Sequence, residues 1–273
     1  MTSKSIGICL KIDQVEYSQS SRQGNGGWTD IMERRKGQIR RFCAKQDDSR
    51  QITAVGNFWV ADGIKVIYCS VEKAGCSTTK EVLKNVNHGS FPKRVHASEE
   101  FFNEKYKNYT KIMFVREPVE RLVSAYRYIT LTNISRFGGI VEDIKSEFRS
   151  NKSKALKVED VTFEEFIKYV VDDHRFKRHW HAYESLCQPC KIKFDFIGKY
   201  ETLREDLARV LMIFGNLTFD DAVKLVPHKN ASPGKTSAEL ARDYMLDLSP
   251  SLREKLYTKF RNDYELFGYK FSW

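Results

Sequence analysis

Residues 65–86 read KVIYCSVEKAGCSTTKEVLKNV and set a strand, a tight turn and a helix in succession. The run Lys65–Cys69 is short and rich in apolar β-formers, which predicts a buried strand. A glycine-containing turn follows, and the pattern from Thr78 to Val86 predicts a helix. A strand that runs through such a turn into a helix is half of a parallel βαβ unit.

Two more strands extend this pattern along the chain. Lys111–Val115 is a second apolar run, and Pro118 suits the first turn of a helix predicted over Val119–Ile129. Phe194–Gly198 is a third predicted strand. Further helix starts are predicted at Thr162, Thr202, Thr236 and Ser251. The sequence therefore predicts an α/β fold with a parallel β-sheet flanked by helices.

The composition fits a globular protein. Of the 273 residues, 41% are hydrophobic and 13% aromatic, which excludes a disordered or collagen-like chain. We expect two parts: residues 1–55, a basic and partly flexible segment with a Gly-rich linker over 18–27 and a helix over Glu33–Lys45, and residues 56–273, a packed domain. With no run of 18 apolar residues and no leader pattern, we expect a soluble chain without an export signal.

The formal net charge of +10 predicts attraction to polyanions. The basic residues are scattered and no aromatic-basic recognition motif is visible, which argues against nucleic acid as the partner. Five Asn-x-Ser/Thr sequons stand where composition predicts roughly 1.4, and this excess favours a secretory lumen. Cys187 and Cys190 could be half a zinc site, a redox pair or a disulfide. No second Cys/His pair is suitably spaced, so no metal is expected.

The turn Lys73–Thr79 follows a strand, where parallel sheets bind ligands. Gly75 permits a tight turn, backbone N–H groups at a helix start can cradle an anion, and Lys73 adds a positive charge. Hydroxyl donors come from Ser77, Thr78 and Thr79. The Walker A glycine spacing is absent, which disfavours a P-loop kinase or ATPase. An ordinary capped βα turn is the alternative interpretation.

A second candidate anion site follows the second strand. Arg116 ends that strand and Ser124 lies on the next helix, so a guanidinium and a hydroxyl can face the same sheet edge. Arg121 and Arg127 have a simpler interpretation as solvated helix charges paired with Glu117 and Glu120.

The segments 68–77 and 114–127 resemble the two nucleotide-binding motifs of the Golgi carbohydrate sulfotransferases. The similarity is to the branch with chondroitin, dermatan and N-acetylgalactosamine 4-O-sulfotransferases. Segments within 179–190, 195–203 and 263–269 match as well, so the resemblance runs from about residue 58 to the C-terminus.

The resemblance implies a P-loop-NTPase-like sulfotransferase fold, with 56–273 as the catalytic domain and 3′-phosphoadenylyl sulfate as the donor. It implies that Lys73, Ala74, Gly75, Cys76, Ser77, Thr78 and Thr79 hold the 5′-phosphosulfate and that Arg116 and Ser124 hold the 3′-phosphate. Lys73 would act on the bridging oxygen, and His96 or His179 would be the base. The resemblance also implies a Cys187–Cys190 disulfide, a polyanionic glycan acceptor and a Golgi location.

Two positions depart from the family pattern. Glu72 stands where the family usually has Pro, and a carboxylate there should repel the donor unless it points away or meets a cation. Thr78-Thr79 replaces Asn-Trp and removes an indole from beneath the loop. A catalytically impaired nucleotide- and glycan-binding relative is therefore the alternative function, with a P-loop-like kinase less favoured.

Overall fold

The computed structural model describes residues 25–46, 55–98, 100–132, 138–149, 160–172, 178–227 and 235–273. The elements in chain order are α1 (Asn25–Cys43), β1 (Val55–Ala61), β2 (Val66–Cys69), α2 (Cys76–Val86), β3 (Lys93–Ala97), β4 (Thr110–Val115), α3 (Pro118–Thr132), α4 (Gly138–Phe148), α5 (Phe163–Asp172), α6 (Tyr183–Cys187), β5 (Phe196–Lys199), α7 (Leu203–Gly215), α8 (Phe219–Leu225), α9 (Ser237–Leu246) and α10 (Pro250–Phe267). None of these described helices is long and apolar enough to cross a membrane.

Five strands form one sheet in the order β3-β1-β2-β4-β5. The three predicted strands, β2, β4 and β5, are confirmed and run parallel to one another. The sheet as a whole is mixed, because β1 lies antiparallel to both β2 and β3. Neither β1 nor β3 was predicted, and β3 is an edge strand with mostly exposed side chains rather than an apolar run.

The register brings the carboxyl ends of four strands to one edge of the sheet. Phe58 of β1 is opposite both Cys69 of β2 and Val95 of β3. Because β1 is antiparallel to both strands, the carboxyl ends of β2 and β3 lie at the same edge, and β4 and β5 end there too. Ligands of parallel sheets bind at this edge.

Helix α1 packs on the core of the sheet. Three of its apolar side chains, Met32, Ile39 and Phe42, are buried. Arg35 of α1 donates at 2.7 Å to the buried carboxylate of Asp206 in α7. The helix starts earlier than the predicted Glu33 and takes in the end of the expected linker, while residues 1–24 lie outside the described part of the chain.

The helix starts follow the sequence with two corrections. Thr202 directly precedes α7 as predicted, but its hydroxyl donates to Asp206 at 2.8 Å instead of capping the helix. Thr162 and Thr236 form the predicted capping boxes with Glu165 and Glu239. The last helix is capped by Ser249 rather than Ser251, because Pro250 occupies the first turn and the hydroxyl of Ser249 accepts from the Leu252 N–H.

The prediction of a Cys187–Cys190 disulfide is wrong for this structure. Cys187 pairs with Cys69 at the end of β2, and Cys190 pairs with Cys43 at the end of α1. The reason is local: α6 ends at Cys187 and Gln188 takes a left-handed conformation with φ of 46°, so the two cysteines point to different neighbours. The bridges connect residues 147 and 118 positions apart.

These pairings predict a distinctive tryptic product. Cys187 and Cys190 share the peptide 179–191, whereas Cys43 lies in 42–45 and Cys69 in 66–73. Non-reducing mass spectrometry of protein from an oxidising compartment should therefore detect one species of three linked peptides. Cys190→Ser should release 42–45 and retain the link to 66–73, and a 179–191 peptide closed on itself would contradict the structure. Reduction should cost about 3–5 kcal/mol per bridge for loops of this length.

Candidate active site

A cavity of about 400 Å³ opens at the carboxyl edge of the sheet. Eight predicted site residues line it: Lys73, Gly75, Cys76, Ser77, Thr78, Arg116, Ser124 and His179. The structure thus brings both candidate anion-binding segments and one candidate base into a single cavity.

Three predicted residues lie outside that lining. Ala74 is fully buried beneath the loop. Thr79 is also buried, and its hydroxyl donates at 3.0 Å to the Gly75 carbonyl within α2. His96 is exposed on β3, one residue past the position level with Cys69.

The loop before α2 has an unusual backbone. Lys73 has φ of 68° and Gly75 has φ of 81°, both in the left-handed region. Gly75 is required there for a second reason, because a Cβ atom would come within 2.8 Å of the Leu203 side chain. A non-glycine residue such as Lys73 held at positive φ stores strain of order 1 kcal/mol, which is typical of functional loops.

Lys73 is positioned by an aromatic neighbour. Its ammonium lies 3.7 Å from the centre of the Tyr128 ring. The ring of His179 stacks on the same tyrosine, with centroids 5.7 Å apart. Tyr128 follows Ser124 by one helical turn on α3, so both face the cavity. The candidate catalytic cation and the candidate base therefore share one aromatic support.

Arg116 is held on several sides and is 94% buried, with 6% of its surface exposed. Its guanidinium donates to the Lys73 carbonyl at 3.2 Å and to the Ser237 hydroxyl at the start of α9. The guanidinium carbon lies 4.1 Å from the Tyr200 ring centre, and Nε lies 3.6 Å from a carboxylate oxygen of Glu120. The arginine is thus fixed before any ligand arrives.

Glu72 lines the cavity but is surrounded by positive charge. The Cys76 thiol contacts its carboxylate at 3.1 Å. Burial acts to raise the pKa of Glu72, but the bond from Cys76 and the charges of His179, Lys80 and Arg178 outweigh it and lower that pKa. Glu72 is therefore ionised and compensated by cations.

Cys76 is a packed thiol rather than a reactive thiolate. Burial, followed by the neighbouring Glu72 carboxylate, raises its pKa. This agrees with a small residue packed beneath the loop and disfavours nucleophilic chemistry at this sulfur.

Arg121 is not the solvated surface charge of the simpler interpretation. It is 2% exposed and donates to three backbone carbonyls, those of Glu72, Arg178 and His181. Its guanidinium also lies 4.8 Å from the Tyr183 ring centre. The side chain therefore connects the anion-binding loop to the segment that carries Arg178 and His179.

Tyr183 and Asp263 extend this support. The Tyr183 hydroxyl accepts from the Arg116 N–H at 2.7 Å and donates to the Arg116 carbonyl at 3.0 Å. The fully buried Asp263 accepts from the Tyr183 N–H at 2.9 Å. Arg116 is thereby connected through Tyr183 to the last helix.

Sequence reasoning missed several lining residues, among them Tyr128, Arg178, Tyr200, Leu203 and Pro227. The i, i+4 spacing from Ser124 could have indicated Tyr128, and Tyr200 comes directly after β5, at the ligand edge. No local signal marks Arg178 or Pro227, which reach the cavity through tertiary packing. Among the residues that the structure describes, no cluster of three or more His, Cys, Asp and Glu side chains is arranged to hold a metal.

The chain thus combines a mixed α/β sheet with a candidate anion-binding strand–loop–helix unit at the carboxyl edge of that sheet. The sulfotransferase family model matches residues 56–270, and the chain belongs to the sulfotransferase family.

The curated relatives that the chain resembles are carbohydrate sulfotransferases. The chain is 31% identical to human (Homo sapiens) carbohydrate sulfotransferase 9 over 88% of its length and 60% of the relative's. It is 33% identical to carbohydrate sulfotransferase 11 of Mus musculus over 75% of its length and 64% of the relative's, and 30% identical to carbohydrate sulfotransferase 14 of Danio rerio over 88% and 71%. The chain thus spans about three fifths of the first of these relatives. No solved structure matches it significantly.

The buried Asp263 predicts a pH-dependent stability. Burial, opposed by the charge of Arg121, raises its pKa from 3.8 to about 7. Between pH 3.8 and about 7, Asp263 therefore holds a proton in the folded protein that it has lost in the unfolded protein. The stability that the folded protein gains from this proton is complete below about pH 4 and is lost as the pH rises through about 7.

Unfolding measured from pH 4.5 to 8 tests this expectation. Asp263→Asn should gain stability relative to wild type as the pH rises, while the exposed Asp220→Asn is the matched control. A constant difference between Asp263→Asn and wild type across this range would contradict a titration at Asp263.

Proposed function

We propose that this protein transfers a sulfuryl group from 3′-phosphoadenylyl sulfate to a hydroxyl group of a glycan. The observation that carries the proposal is one cavity lined by both Lys73, with its loop, and the pair Arg116 and Ser124. Family membership and the relatives named carbohydrate sulfotransferases support it.

The residues of the cavity fit a nucleotide with two separate anionic ends. The start of α2, with Ser77 and Thr78, would hold the 5′-phosphosulfate through backbone N–H groups and hydroxyls. Arg116 and Ser124 would hold the 3′-phosphate, since a guanidinium is the strongest protein partner of a phosphate. Arg116 is already bonded to Ser237, so that hydroxyl lies beside the same subsite.

The bound donor supplies an activated sulfuryl group; the protein contributes position and charge. Lys73, held over Tyr128, would neutralise the negative charge that develops on the leaving bridging oxygen. His179 would take the proton of the acceptor hydroxyl at its imidazole. Its place in the cavity favours it over His96, and the Glu72 carboxylate nearby stabilises its protonated form.

The alternative is a nucleotide- and glycan-binding relative with impaired catalysis. The carboxylate of Glu72 within the cavity is the observation that favours it. Against it, Glu72 is hydrogen-bonded by Cys76 and faces the cations Lys80 and Arg178, so the cavity is not left with an uncompensated negative charge. A turnover assay separates the two functions.

We place this activity in the oxidising lumen of the Golgi, on a polyanionic glycan acceptor. Two disulfides support the compartment, because such bridges persist in secretory compartments. The sequons at Asn108 and Asn216 both lie on exposed asparagines, whereas those at Asn133, Asn151 and Asn230 lie outside the described residues. In this proposal residues 56–273 are the catalytic domain, with α1 packed onto it.

Arg116→Ala should weaken binding of the 3′,5′-bisphosphate nucleotide by roughly 30- to 1,000-fold, since a charge-assisted bidentate contact is lost. Ser124→Ala, which removes a neutral hydroxyl, should cost about fivefold. Calorimetry on variants with wild-type melting behaviour measures both. Unchanged affinity in folded Arg116→Ala would remove Arg116 from the nucleotide site.

Lys73→Ala should lower kcat by about 10²–10³ and weaken nucleotide binding much less, because the charge is needed most in the transition state. Lys73→Arg should not restore the rate, since a planar guanidinium cannot reproduce a compact ammonium. Lys224→Ala, on an exposed helix face, is the matched control. A kcat within about threefold of wild type would show that Lys73 is not the catalytic cation.

His179→Gln should lower kcat by about 10²–10⁴ with nucleotide affinity retained, as expected for loss of a general base. The acid limb of the pH–rate profile should disappear with it. His96→Gln provides the comparison and should stay near the wild-type rate. The reverse pattern would assign the proton transfer to His96.

A further inference from the structure

A row of positive and aromatic side chains leads away from the cavity along α2. Cys76 lines the cavity, and Lys80 and Lys84 follow it at successive four-residue steps on the same helix face. At 1.5 Å per residue, the row from Cys76 to Lys84 extends about 12 Å. It is therefore longer than one sugar ring.

Each lysine of this row lies over an aromatic ring. The ammonium of Lys80 is 4.3 Å from the centre of the Trp59 ring, and that of Lys84 is 5.5 Å from the Phe91 ring. Trp59 is half-buried, and Phe91 is 51% exposed, which is unusual for a large apolar side chain. These rings hold the two ammonium groups in place through cation–π attraction.

The edge strand contributes a third cation. Arg94 of β3 is directly opposite Trp59 of β1, and cross-strand partners project from the same face of a sheet. Arg94 is an exposed residue. Trp59 is also opposite Tyr68, and Lys80 of α2 lies over the Trp59 ring, so Trp59, Tyr68 and Arg94 belong to the sheet face next to α2.

Two carboxylates of the described residues interact with the lysines of this row. Glu81 forms an ion pair with Lys84 at 3.5 Å, and Glu72, which faces Lys80, belongs to the cavity. A polyanion with flat apolar sugar faces is complementary to alternating cations and rings, since the cations pair with carboxylates or sulfates and the rings pack against the sugar.

We propose that Trp59, Lys80, Lys84, Phe91 and Arg94, the α2 row, bind the part of an anionic glycan chain that flanks the sugar being sulfated. The row selects acceptors that carry uronate or sulfate groups over neutral glycans. This inference rests on the proposed function for the identity of the cavity, but binding to the α2 row does not require sulfuryl transfer.

The first test measures binding without nucleotide. Unsulfated chondroitin is titrated into wild type, Lys84→Gln/Arg94→Gln and a control, Lys224→Gln/Arg261→Gln. The control removes the same two charges, and Lys224 has the same i, i+3 ion pair, with Asp221. Arg261 lies on α10, which packs on α1 and α5. The α2-row variant should bind about five- to twentyfold more weakly and show a shallower salt dependence, and the control should bind like wild type.

The second test uses turnover on two acceptors. In the α2-row variant the KM for unsulfated chondroitin should rise by the same factor, while kcat, the KM for the donor and the KM for a neutral N-acetylgalactosamine disaccharide stay unchanged. Equal weakening in both double variants, or wild-type binding of neutral dextran as tight as that of chondroitin, would overturn the α2 row. If wild type binds no nucleotide and transfers no sulfuryl group, the proposed function fails, and the first test still decides the α2 row.

Discussion

The buried guanidinium of Arg121 is the contact on which the site depends. It donates to the carbonyl of Glu72, in the candidate anion-binding loop. It also donates to the carbonyls of Arg178 and His181, which follow Arg121 by 57 and 60 residues. A guanidinium has five N–H donors in a rigid plane, so one side chain fixes two backbone segments relative to each other. Together with the Tyr128 ring, this contact holds Arg178 and His179 close to Lys73.

The charge of Arg121 also acts on the buried carboxyl group of Asp263. Burying a charged arginine is costly unless a partner balances it, and the charges of Arg121 and Asp263 interact in the interior. Asp263 in turn accepts from Tyr183, whose hydroxyl bonds both backbone groups of Arg116. The position of the candidate phosphate-binding arginine is therefore set by buried polar contacts, which are directional, rather than by apolar packing alone.

The sequence predicted the elements whose signal is local. Strands β2, β4 and β5 are buried apolar runs, and the anion-binding loop joins one of them to a helix, so both their place and the ligand edge could be inferred. Strand β3 has mainly exposed side chains and carries no such pattern, because an edge strand is specified by its pairing. Arg178 reaches the cavity through Arg121, and the cysteine partners are fixed by tertiary packing; neither follows from spacing along the chain.

The neighbours of the loop make the departure at Glu72 compatible with a candidate anion site. A carboxylate at position 72 would weaken an anion site if it acted alone, but the Arg121 contact draws the segment containing Arg178 and His179 to the loop. Those two groups and Lys80 lower the pKa of Glu72, so its charge is already balanced. In the proposed function, the positive charges of Lys73 and Arg116 would then be available to the donor rather than being cancelled by Glu72. The negative charge at this loop position is thus balanced in part by a segment distant in the sequence.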